Sequence, residues 1–78
     1  SSDLFYMLMY VELYKMNIES ETKIIQQHVD KGNYHAAINL SISAMNQCRR
    51  ENDQPGTDYF IILIKNIVNK MADEFASQ

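Results

Sequence analysis

Glycine occurs twice among the 78 residues, proline and cysteine once each, and tryptophan not at all. So few chain-turning residues exclude a sandwich or barrel, which needs a turn roughly every ten residues. The lone Cys48 cannot close an intramolecular disulfide. A secreted domain this small would carry several cysteines, so a reducing cytoplasm is the expected location. Basic charge is also scarce: ten acids face seven bases, the net charge is -3, and Arg49-Arg50 is the one adjacent basic pair. Phosphate recognition needs a basic stripe, which disfavours a nucleic-acid partner. No Lys or Arg precedes Lys15, so the positive start of a secretory signal is missing. The apolar run from Leu4 to Val11 ends at Glu12, well short of the ~20 residues that cross a bilayer. Met16 opens "MNIESE", an alternative start that leaves the origin of residues 1–15 open.

What is present is apolar surface. Hydrophobic residues make up 46% of the chain, too many for a disordered tail. Chains of this length form one domain and bury only about 60% of the surface their unfolded state exposes. A single all-helical domain over residues 1–78 is the expectation, with no room for a catalytic lid or a cofactor fold.

Gly32 suits the position just past a helix end, where positive φ is needed. Gln54-Pro55-Gly56-Thr57 reads as a type II turn. These marks predict helices over about 3–31, 34–51 and 58–76, the last capped by Thr57. In the first, Leu4, Val11, Ile18 and Ile25 recur every seven residues. Asn17, Ser20 and Thr22 are mediocre helix formers, which favours a break near 17–20 over one long helix. The second carries a broad face of small residues from Ala37 to Cys48, open to close approach by a neighbour. In the third, Phe60, Ile64, Ile67, Val68, Met71 and Phe75 follow amphipathic spacing. The fold class expected is all-α: a helical hairpin or a three- to four-helix bundle, completed by dimerisation.

No catalytic, metal-binding or cofactor-binding residue is expected. His28, His35 and Cys48 lack the paired spacing of a structural zinc site. A Cys48 nucleophile would have no oxyanion loop and no third residue to orient its base. Arg49 and Arg50 complement the negative end of the second helix.

The anomaly is the first helix. Tyr6, Tyr10 and Tyr14 form one stripe, Leu4, Leu8 and Val11 another, and Phe5, Met7, Met9 and Leu13 fill much of the remainder. A helix apolar on nearly all sides cannot bury itself in a two-layer domain of this size. Tyrosine and methionine are enriched at protein interfaces. Tyr6, Tyr10, Tyr14, Phe5 and Met9 are therefore the candidate partner-binding residues. A central place in the chain's own bundle is the competing reading, and a membrane surface a third, weakened by the missing basic face.

Two family resemblances follow. "KGNYHAAINLSISAM" resembles the turn and second helix of a tetratricopeptide repeat, or of the similar three-helix MIT domains, in the placing of Gly32, Tyr34, Ala37 and Ala44. Glu21, His28, Ile25 and Arg49 depart from that pattern. A longer stretch, from about Glu19 to Val68, is similar in layout to the small enterobacterial connector proteins of biofilm and acid-resistance control. The shared features are Glu19 and Glu21 at a helix start, the Ile24-Ile25 and Val29 core, Lys31-Gly32, "NLSI", and Tyr59 leading into an apolar helix. Tyr34-His35 stand where that family often carries a basic pair, and its Leu-Glu in the middle helix is missing. The resemblance implies a helical, dimeric, non-enzymatic regulator acting by protein contacts. The function expected is thus a regulatory or connector protein that binds a protein partner, itself (as a homodimer), or both. The alternatives are a small chaperone masking a client's hydrophobic helix and, less favoured, a nucleic-acid-binding dimer. No small-molecule substrate and no membrane span are expected.

Overall fold

A computed structural model describes residues 2–77 and holds three α-helices in that range: α1 (Ser2–Asp30), α2 (Tyr34–Arg50) and α3 (Gln54–Ala76). Ser1 and Gln78, the ends of the expected 1–78 domain, lie outside the described residues. The architecture is all-α. α2 runs antiparallel to both neighbours, and its contact with α3 is the more extensive.

Two turns of the same design connect the helices. At the end of α1, Gly32 takes φ +77°; its amide donates to Val29 O and that of Asn33 to His28 O, at 2.9 and 2.8 Å. At the end of α2, Asn52 takes φ 57°; its amide donates to Arg49 O and that of Asp53 to Cys48 O, at 3.1 and 2.8 Å. Both are Schellman closures, which satisfy carbonyls the helix leaves free. In each, the residue after the left-handed one is already the N-cap of the next helix, Asn33 for α2 and Asp53 for α3.

The start of α3 corrects the expectation for residues 54–57. They form the first turn of the helix, not a type II turn, and Asp53 replaces Thr57 as the cap. Asp53 Oδ1 accepts from the Gly56 amide at 3.0 Å, and Pro55 sits where its missing N–H costs nothing. Thr57 instead donates its hydroxyl to Asp53 O at 2.7 Å.

The expected break in α1 is also absent: the helix is continuous through Asn17–Thr22. Thr22 donates to Ile18 O at 2.7 Å, four residues back, and shares a 2.8 Å hydrogen bond with the Tyr59 hydroxyl on α3. Ile18 and Ile25 both pack towards the core on either side of it. Tertiary contact thus outweighs the weak local propensity.

The core consists of Ile25, Val29, Tyr34, Ala37, Ala44, Cys48, Phe60 and Ile67, with Ile18, Ile38, Leu40, Met45, Leu63 and Met71 packed around it. Ser41 is fully buried among them, its hydroxyl donating to Ala37 O at 2.8 Å. Three residues of the expected α3 face lie outside: Ile64 is only half-buried, and Leu63 packs on the core in its place. Val68 and Phe75 are exposed, because Val68 sits at the rim and α3 outruns its neighbours near Phe75.

Candidate protein-binding surface

α2 has 17 residues and α1 has 29. Paired from their shared turn, α2 ends level with Tyr14 of α1. The twelve preceding residues overrun the bundle by about 18 Å at 1.5 Å per residue. Eleven of the thirteen residues from Leu4 to Met16 are large, apolar or aromatic, and exposed. Glu12 and Lys15 are the exceptions, and they pair with each other at 3.8 Å.

Four of the five candidate partner-binding residues lie on this overhang, and Tyr14 stands where it begins. Phe5 is 66% exposed, Tyr6 54%, Met9 40%, Tyr10 65% and Tyr14 42%. They do not form one face. Tyr6, Tyr10 and Tyr14 line a shallow groove of 460 Å³ with Asp3, Met7 and Val11. Phe5 and Met9 turn to the far side at helical spacing, joined there by Leu13 and Met16. Phe5 meets the Tyr6 ring edge-on, with centroids 5.9 Å apart. Leu4, Leu8 and Val11 are as bare as the tyrosines, so the leucine stripe does not pack on the chain's own bundle.

Tyr14 differs from the other two tyrosines. It borders a crevice of 320 Å³ between α1 and the 51–53 turn, together with Ile18, Glu21, Cys48, Asp53 and Phe60. Its hydroxyl faces the Asp53 carboxylate, which can accept its proton in a hydrogen bond, and this with burial pushes the phenol up to about 12. Burial also raises the Cys48 thiol, with the Asp53 charge adding to it. Burial acts to raise Asp53 as well, but the Gly56 amide, the Tyr14 hydroxyl and the Cys48 thiol outweigh it and hold the carboxyl below its ordinary range. Gly56 lets these groups converge: a Cβ there would stand 2.7 Å from Cys48 Sγ and collide with Asp53 Oδ2.

At the opposite end, the buried Tyr34 hydroxyl has no hydrogen-bond partner within bonding geometry among the described residues; the nearby Glu74 carboxylate, with burial, pushes it up to about 12. His28 is half-buried near the first turn and His35 is exposed on α2. Thirteen residues of helix, about 20 Å, separate His35 from Cys48. Among the described residues no group of three or more His, Cys, Asp or Glu side chains is placed to hold a metal ion. Among the same residues no helix is long and apolar enough to cross a membrane.

The overhang was legible in the sequence as a helix without a polar side. The Tyr14–Asp53–Cys48 convergence was not, since it depends on where α2 ends. No protein-family model, no curated protein and no solved structure matches the chain.

Proposed function

We propose that this chain is a non-enzymatic binding protein of the regulatory or connector kind, acting through the apolar overhang of α1 on another protein. One observation carries the reading: eleven large apolar or aromatic side chains between Leu4 and Met16 stand exposed on a single helix. Monomeric proteins rarely expose continuous apolar surface on that scale, and where they do it marks an interaction site. Tyrosine and methionine suit the role, the first by combining a wide ring with a polar tip, the second by its adaptable shape. The regulatory class rests on the layout shared with the small connector proteins; the mode of action rests on the exposed helix.

The test is affinity capture with immobilised chain, comparing wild type with the double substitution Phe5→Ala, Met9→Ala. A polypeptide retained by wild type and released by the variant, with unchanged helicity in both, is the expected result. Equal retention by both, or none by either, would refute the reading.

A further inference from the structure

The face of α1 that packs against the bundle does not stop where the bundle stops. Ile18, Ile25 and Val29 turn inward on α1. Stepping back from Ile18 by sevens reaches Val11 and Leu4, and the intervening steps reach Tyr14 and Met7. This is the 3–4 spacing of a helix-pairing seam. Its C-terminal half is covered by α2, with α3 reaching it at Tyr59. Its N-terminal half is bare, and the 460 Å³ groove runs along it. We infer that a second copy of this chain covers that half, the two α1 overhangs lying antiparallel on a two-fold axis near residue 9. This deepens the binding reading above and rests on it.

Three features select a second copy. The first is charge. From Leu4 to Met16 the only charged groups are Glu12 and Lys15, already paired with each other. Asp3, at the outer end of the groove, is the one charge that lines it; the antiparallel pair sets it level with Lys15 of the other copy, so two copies meet without repulsion. The second is shape. Centred on residue 9, an antiparallel pair sets Leu4 of each copy against Tyr14 of the other, and Met7 against Val11. Every layer then joins side chains of complementary size, and the pairing ends where the 51–53 turn begins. The contact is isologous and closes on itself. The third is area. Each of the eleven side chains is about half exposed, roughly 100 Å² apiece for residues of this size. A two-helix contact covers about half of that on each copy, or about 1,000 Å² in all, the lower bound for a specific interface. Phe5, Met9, Leu13 and Met16 stay outside the pair, free for the other protein.

Sedimentation equilibrium and spin-label distances test the arrangement. Wild type at tens of micromolar should sediment at about 18 kDa, twice the 9.1 kDa chain. Val11→Glu, on the seam, should sediment as the single chain with its helical circular dichroism intact, because Val11 is 42% exposed and supports nothing in the bundle. Met9→Glu, on the far side, should remain a dimer. Spin labels on Lys23→Cys in a Cys48→Ala background should lie about 40 Å apart, 28 residues of helix at 1.5 Å each; a parallel pair would bring them within about 20 Å. A 9.1 kDa wild type, equal dissociation by Met9→Glu and Val11→Glu, or a short label distance would each overturn the inference. A monomer that still loses its captured protein on Phe5→Ala, Met9→Ala would remove the dimer and leave the binding reading standing. A dimer of the stated geometry that captures nothing would do the reverse.

Discussion

The two glycines do different work, and substitution should separate them. Gly32 has positive φ and open space around its missing Cβ. Gly32→Ala should therefore cost about 1–2 kcal/mol through backbone conformation alone. Gly56 has an ordinary backbone but no room, so Gly56→Ala should displace Asp53 and lose the cap, about 1 kcal/mol. Urea titration at neutral pH checks the first, and repetition in acid the second. The Asp53 carboxyl is lowered in the folded state. Its contribution is complete above the unfolded value near ~3.9 and is lost as pH falls through the folded one. Asp53→Asn and Gly56→Ala should both flatten that acid limb; retention of the wild-type slope would show that Asp53 is not its source. Tyr14 and Tyr34 give the opposite sign. Both phenols are raised to about 12, so their contribution holds below the unfolded value near ~10 and disappears as pH climbs through 12. An ultraviolet titration should show late-ionising tyrosine, and Tyr14→Phe should remove part of it. Gly32 was legible as a helix end because glycine is the residue that most readily takes that conformation. Asn52 was not, because in "RRENDQPG" the Pro-Gly pair is the louder turn signal and drew the helix start four residues too late.

Among the elements, α3 illustrates how far periodicity reaches. Phe60 and Ile67 are nearly or fully enclosed, at 1% and 3% exposure. Ile67→Ala should cost about 2–5 kcal/mol, enough to lower the thermal midpoint by many degrees in a domain this small. An unchanged midpoint would contradict the packing. Spacing cannot say where the neighbours end, so the same pattern placed Val68 and Phe75 inward and the fold leaves them out. In α1, polar composition at 17–22 suggested a break, but the bond from Thr22 to Tyr59 joins residues 37 apart in sequence. Local propensity has no access to such a bond. At a dilution where both proteins are single chains, Tyr6→Ala with Tyr10→Ala should leave bundle stability within about 0.5 kcal/mol of wild type, since neither ring supports the core. Chemical denaturation of the two proteins side by side is the measurement, and a collapse of the bundle would make those rings structural.

At the scale of the whole molecule, the three helices are staggered. The Cα radius of gyration is 15.2 Å, against about 11.5 Å for a compact chain of this length. The surplus of apolar residues in α1 was legible in the sequence because no side of that helix is polar. Where they end up was not, since the mismatch between 29 and 17 residues appears only once both helix ends are fixed. The resulting rod, 59 × 21 × 14 Å, carries a hydrodynamic consequence. Its helices lie along the long dimension, so backbone N–H bonds point close to that axis. End-over-end tumbling, the slowest rotation, then governs the relaxation of most amides. Nuclear spin relaxation and gel-filtration volume will both mimic a heavier particle even for a single chain, and frictional drag will separate apparent size from mass.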